Sequence, residues 1–329
     1  MTAPGFDAAE LAARVKAGDR RALARAITLV ESSRADDAPR RRALLREISP
    51  IPREGFTLAV TGVPGAGKST LIDVYGRRLL AAGHRVAILT VDPSSARSGG
   101  SVLGDKTRMG ELVKDPRAFV RPSPSSGAYG GAAPRTREAL MLCRAAAFER
   151  IVLETVGVGQ SERDAALVAD VVVYVTLAGA GDDLQGLKRG ALEHADVIVF
   201  NKADGEARAR VESDASRFAA AFALLRPDAP PRVLTTSAVD GTGVDALLDE
   251  IERRAGELES SGQLDRLRAR QAEAWFDAEL DREVLRRFHG DARVAARVPA
   301  LKAAIARGAQ LPSEAVEDLL DELEPRDGG

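Results

Sequence analysis

The stretch Gly62-Val63-Pro64-Gly65-Ala66-Gly67-Lys68-Ser69-Thr70 decides the fold. A glycine, four residues, then Gly-Lys-Ser is the spacing of a phosphate-binding loop. The apolar run at 56–60 reads as a buried strand, and the run from Leu71 continues as a helix to about Ala82, with Gly83 as C-cap. A chance Gly-rich turn lacks that strand–loop–helix context. The glycines let successive backbone N–H groups turn inward around a phosphate, and the helix start adds positive potential. Gly62, Gly65, Ala66, Gly67, Lys68, Ser69 and Thr70 are therefore read as surrounding a nucleoside triphosphate. Lys68 reaches the β- and γ-phosphates, and the Ser69 hydroxyl ligates Mg²⁺.

Working outward, near-continuous apolar runs recur at 85–91, 151–154, 171–175, 197–200 and 233–235, separated by helical patterns. Strands without polar alternation belong to a parallel sheet covered on both faces. The expected fold is an α/β P-loop NTPase with a mostly parallel central sheet flanked by helices, plus N-terminal and C-terminal helical extensions. Residues 7–47 carry a helical period, and the Pro/Gly-rich stretch 48–55 leads into the first strand. Beyond Ala255 the strands stop, and 263–288 reads as one long amphipathic helix with Phe276, Leu280, Val284 and Phe288 at i+4 spacing. Such stripes are mostly intramolecular core, but this one also suits a dimer interface. The expected divisions are 1–52, 53–256 and 257–329.

Ligands of parallel sheets bind beyond the carboxyl ends of the strands, so residues following each run are the candidates. Asp92 follows one strand, and a long loop leads to Asp105; both are candidate Mg²⁺ ligands, directly or through water, or simple turn caps. The loop at 122–134, rich in Gly, Pro and Ser, reads either as a simple connection or, from its length, as a partner- or nucleotide-facing loop. After the run 151–153 come Glu154 and Gly157, the pattern of a metal-and-γ-phosphate element that relaxes on hydrolysis. Val158 stands where a water-orienting Gln is usual, and Gln160 is out of register, so slow intrinsic hydrolysis completed by another group is expected.

The stretch 178–190 is a candidate third loop. In it Lys188 or Arg189 can supply positive charge, and Asp182 or Gln185 can position water; a helix start with solvated charges accounts for the spacing equally well. After 197–200 come Asn201, Lys202 and Asp204. A carboxylate at Asp204 accepts from guanine N1–H and the 2-amino group, while Asn201 and Lys202 brace the loop and cover the ring. Adenine lacks that donor pair, and sites of this kind discriminate on the order of 10⁴-fold. Backbone of Ser237, Ala238 and Val239 then contacts the guanine carbonyl. The nucleotide is read as GTP.

Bulk properties exclude several classes. A net charge of −2 gives no argument for nucleic acid or an anionic membrane surface, and no apolar run reaches membrane-spanning length. One cysteine, Cys143, and three dispersed histidines make neither a disulfide framework nor a zinc cluster. Without a signal-peptide core, a cytoplasmic location is expected.

With these loops in hand, the chain resembles the MeaB/ArgK group of P-loop GTPases over nearly its whole length. The resemblance rests on residues 62–70, 92–95, 154–160 (Glu-Thr-Val-Gly-Val-Gly-Gln), 179–190 and 201–204. The stretches at 154–160 and 181–190 carry more weight than the generic nucleotide motifs. The resemblance implies a chaperone of adenosylcobalamin-dependent methylmalonyl-CoA mutase, which itself holds the cobalamin. It further implies a homodimer held by C-terminal helices, Mg²⁺ with GTP or GDP, and three switch loops at 92–108, 154–160 and 177–188. Glu154 and Val158, odd on general grounds, match that family. A metallochaperone GTPase would need a Cys or His cluster, and a kinase gains nothing from the guanine loop.

Overall fold

The computed structural model describes residues 6–32, 34–50, 54–92, 109–124, 133–155, 165–179 and 194–321. Among these, seven strands form one sheet: β1 (Phe56–Gly62), β2 (Val86–Asp92), β3 (Ala118–Pro124), β4 (Arg150–Thr155), β5 (Val171–Thr176), β6 (Val197–Phe200) and β7 (Arg232–Thr235). Their order is β3-β2-β4-β1-β5-β6-β7, and every pair is parallel. All carboxyl ends therefore lie along one edge. Chain order reverses about β1, which puts the strand carrying the phosphate loop at the switch point.

Side chains alternate across the sheet and sort into two layers. Ala59, Leu89, Leu153 and Val172 face α1 (Ala8–Lys16), α2 (Arg20–Glu31), α3 (Asp37–Ile48) and α6 (Ala133–Ala145). Leu58, Val60, Ile88, Val152 and Val173 face α4 (Lys68–Ala81) and α8 (Val244–Ser260), with Leu112 of the short α5 (Gly110–Lys114). A third cluster joins Tyr174, Ile198 and Phe200 to Val211, Phe218 and Phe222 of α7 (Arg208–Leu225), where Phe200 meets Phe218 edge-on at 5.1 Å. The N-terminal helices start where caps satisfy them: Asp7 accepts from the Glu10 N–H, and Asp19 from those of Arg21 and Ala22. Their buried Leu23, Ile27 and Val30 belong to the same core as the sheet.

One strand differs from expectation. The connection placed at 122–134 begins inside β3, which runs to Pro124. Pro122 and Pro124 lack N–H donors, which a central strand would need, but β3 is an edge strand and loses nothing on its open side.

At the amino edge of the sheet a buried charge is fully satisfied. Asp170, just before β5, has a fully buried side chain. It accepts from Arg268 Nε and Nη2 at 2.8 Å each, from the Thr57 N–H at 2.8 Å and from Arg144 at 3.4 Å. Arg268 also donates to the Gly55 carbonyl at 2.7 Å, and Gln271 donates to those of Ala166 and Ala169. This ties the first turns of α9 (Gln263–Gly290) beneath β1 and β5.

The chain divides into two units, Met1–Ala272 and Glu273–Gly329. The second contains α10 (Ala292–Ala306) and α11 (Pro312–Asp321), with Val294, Ala315 and Leu319 buried. Asp291 caps α10 through the Arg293 N–H at 2.8 Å. No helix among the described residues is long and apolar enough to cross a membrane.

Candidate nucleotide site

The phosphate loop is shaped by close approach of backbones. At Gly62, φ is +133°, and a Cβ would lie 1.9 Å from the Val175 carbonyl oxygen, so only glycine fits. The Val63 N–H donates to that same carbonyl at 3.1 Å. Gly67 has φ +86°, and a Cβ there would meet the Asn201 amide at 2.7 Å. Because Gly67 is the N-cap of α4 and offers no side chain, the N–H groups of the first turn receive no side-chain cap. They form a positive helix end facing the loop.

Lys68, the first residue of α4, is 6% exposed, and its ammonium donates to the carbonyls of Gly62 and Val63 at 3.0 Å each. The side chain thus lies along its own loop. Ser69 follows, and its hydroxyl donates to Glu154 Oε1 at 2.6 Å. Glu154 is 7% exposed and stands beside Val60 in the β1–β4 register. One residue on, the Thr155 hydroxyl donates to that of Thr61 at 2.8 Å. Ser69 and Glu154 thus offer only oxygen donors, the set that Mg²⁺ prefers. Asp92 ends β2 beside the end of β4. Its side chain lies outside the described residues, as do Asp105, Gly157, Asp182, Gln185 and Lys188.

The loop after β6 is pinned to the phosphate loop by Asn201, which is 1% exposed. Its amide donates to the Ala66 carbonyl at 2.7 Å, and its Oδ1 accepts from Thr236 Oγ1 at 3.0 Å and the Ala238 N–H at 3.3 Å. One side chain therefore holds three loops. Lys202 has φ +61°, a left-handed conformation costly for a side-chain-bearing residue. The Ala203 N–H returns to the Thr236 carbonyl at 3.0 Å, which presents Asp204. Asp204 Oδ1 is buried and has no hydrogen-bond partner in the structure. A carboxylate oxygen in that state is an acceptor awaiting donors.

After β7, the Ser237 N–H donates to the Thr242 carbonyl at 2.9 Å, closing a turn that holds Ala238 beside Asn201 and leaves Val239 83% exposed. Hydrogen bonds from the Thr242 N–H and from Ser237 hold the Asp240 carboxyl below its usual range. The stretch after β5 starts in the same way. The Gly179 N–H donates to Asp214 Oδ2 at 2.8 Å, and this bond, followed by that from Arg217, lowers the Asp214 pKa. The sequence reading missed Thr236, Thr61 and Asp214. The run Thr235-Thr236-Ser237 at a strand end was the one available pointer; Asp214 lies mid-helix with nothing local to mark it.

The strand–loop–helix with its uncapped helix start, and a strand-end Asn that bridges to it, define a P-loop nucleotide-binding protein. More particularly, the chain belongs to the MeaB family: the family described as "Methylmalonyl Co-A mutase-associated GTPase MeaB" matches residues 23–293. A relative named "Putative GTPase" from Caulobacter vibrioides is 46% identical over 320 residues, covering 96% of this chain and 98% of that protein. The "Methylmalonic aciduria type A homolog, mitochondrial" of Mus musculus is 37% identical over 322 residues, covering 94% of this chain and 78% of its own length. A crystal structure titled "LAO/AO transport system kinase" superposes with a TM-score of 0.76 at 33% identity, covering 97% of this chain and 98% of the other.

Proposed function

We propose that this chain is a GTP-hydrolysing chaperone of adenosylcobalamin-dependent methylmalonyl-CoA mutase, gating cofactor loading and protecting or reactivating that enzyme. The observation that carries the nucleotide assignment is Asp204 Oδ1, buried and unpartnered in a loop that Asn201 joins to the phosphate loop. Guanine presents an N1–H and a 2-amino group to such a carboxylate, and adenine does not. Support for the mutase partner is the family description and the mouse relative's name.

In the proposed reaction, Lys68 exchanges its two loop carbonyls for β- and γ-phosphate oxygens. Water attacks the γ-phosphorus in line; the new O–P bond forms as the bond to the β-bridging oxygen breaks, and GDP leaves. The water proton passes to the released phosphate. N–H groups of the loop and the α4 start take up developing charge. Ser69, with Glu154 hydrogen-bonded to it, would hold Mg²⁺, with Asp92 and Asp105 completing the set. When bound, that ion supplies charge neutralisation at the phosphates. The water-orienting group is assigned to the third loop, to Gln185, Lys188 or Asp182, acting in the mutase complex.

A homodimer through the C-terminal helices completes the reading, in a cytoplasmic setting. Within the second unit, Phe276, Leu280 and Val284 recur every fourth residue of α9 and are each about half exposed or more. An apolar stripe of this kind suits a helix–helix interface.

The test is steady-state phosphate release from GTP and from ATP, each with and without methylmalonyl-CoA mutase. Slow, GTP-selective release that rises with the mutase is expected. Equal use of ATP would remove the guanine assignment, and indifference to the mutase would remove the chaperone role.

A further inference from the structure

A second recess lies at the amino edge of the sheet, away from the nucleotide site. It is a cavity of about 1060 Å³ formed where β5 and β6 begin, between the end of α7, the end of α8 and the first turns of α9. β5 spans six residues, so roughly 20 Å of strand separates this cavity from the carboxyl edge.

Four arginines from three helical elements line it: Arg226, Arg254, Arg266 and Arg270. The carboxylates that also line it are already engaged. Asp170 is held by Arg268, Glu257 pairs with Arg253, and Asp196 accepts from the Val172 N–H at 2.8 Å with Arg254 at 3.8 Å. Burial pushes the Asp196 pKa up from its ordinary value, against the pull of the Val172 N–H and of Arg254. Arg226 donates to the Ala195 carbonyl at 3.1 Å, and Arg254 pairs with Glu250. Arg266 and Arg270 sit one turn apart on α9, are exposed, and have no acidic partner among the described residues. Arg266 donates only to the Ser261 carbonyl. Like charges at i and i+4 destabilise a helix, so this pair is a cost to the isolated chain.

Apolar side chains share the lining: Leu258 and Leu267, with Val171 and Val172. Nearby in the chain, Leu224 and Leu225, immediately before Arg226, are 85% and 72% exposed. The cavity is at or above the roughly 300–1,000 Å³ of ordinary small-molecule sites. A lining that carries arginines and leucines together, with room for several side chains, is complementary to a segment of chain bearing both carboxylates and apolar groups.

We propose that this cavity docks an acidic, leucine-bearing segment of a partner protein. The site is separate from the nucleotide, so docking there leaves GTP turnover as an independent check of the fold.

The experiment is fluorescence anisotropy of a fluorescein-labelled peptide of glutamates with leucine at every fourth position, titrated with the full-length chain loaded with GDP. Binding that weakens as salt rises is expected, with Arg270→Glu lowering affinity by about tenfold or more and GTP turnover unchanged. Arg266→Glu combined with Arg270→Glu is expected to abolish binding. If that double variant loses its circular dichroism signal, Arg270→Glu alone decides, because Arg270 bonds no described residue. Absence of binding to the unaltered chain, unchanged affinity in Arg270→Glu, or displacement of the peptide by GTP would overturn the proposal. Equal binding of a peptide with serine in place of leucine, or full competition by inorganic pyrophosphate, would also overturn it, by showing a site for small anions.

Discussion

The two edges of one sheet are finished in opposite ways. At the amino edge the most buried charge, Asp170, receives hydrogen bonds from Arg268, Arg144 and the Thr57 backbone. At the carboxyl edge, α4 begins without a side-chain cap, Lys68 rests on carbonyls of its own loop, and Asp204 keeps an unpartnered buried oxygen. The same strands supply both. At the amino edge the buried carboxylate is closed by its partners; at the carboxyl edge a carboxylate oxygen and a helix start are held in place and left open. Stability and activity should therefore separate along the strand direction.

The largest effect is expected from Asp170→Ala. It strands the Arg268 and Arg144 guanidiniums in a buried setting, and losing one partner of such a pair costs about 3–5 kcal/mol. Urea denaturation should show that loss, while GTP turnover per folded molecule stays unchanged. Loss of turnover without loss of stability would contradict the division. The converse is Lys68→Ala. Removing this cation should lower GTP turnover by about 10²–10³-fold, measured by phosphate release, and shift stability by about 1 kcal/mol or less.

Asn201→Ala tests the bridge within the active edge. It leaves the Ala66 carbonyl, the Thr236 hydroxyl and the Ala238 N–H without their partner, and about 1–3 kcal/mol of nucleotide affinity should go with them. Competition against a fluorescent GDP analogue reads that out.

Cys143 gives the smallest effect and checks that the layer between the edges is closed. Burial pushes its thiol up to about 12 from an ordinary value near 9. The folded chain should resist iodoacetamide at pH 8, with labelling following unfolding. The sign follows from the raised value: the contribution of the protonated thiol is intact below pH 9 and is lost as pH rises from 9 toward 12. Rapid labelling of the folded chain would show that the packing of α6 is looser than described.

How much of this the sequence discloses depends on the range of the interactions involved. The phosphate loop is written in nine consecutive residues, 62–70, because adjacent N–H groups make it. Strand ends likewise announce themselves, since an apolar run stops and a polar residue such as Glu154 or Asn201 follows. β3 escaped because Pro122 and Pro124 forbid a central strand, and nothing local says that the strand lies at an edge. The Asp170–Arg268 pair spans 98 residues, and Asp214 meets Gly179 across 35, so neither partner marks the other in the sequence. Local backbone chemistry was legible; long-range closure of polar groups required the fold.

At the carboxyl edge, the guanine base is expected to be held through Asp204. The most direct test is competitive binding of GDP and XDP to the unaltered chain and to Asp204→Asn. Xanthine carries a carbonyl where guanine has its 2-amino group, so a carboxylate favours GDP and an amide donor favours XDP. GDP preference is expected in the unaltered chain, with a reversal to XDP in Asp204→Asn. A variant that still prefers GDP would contradict that role of Asp204.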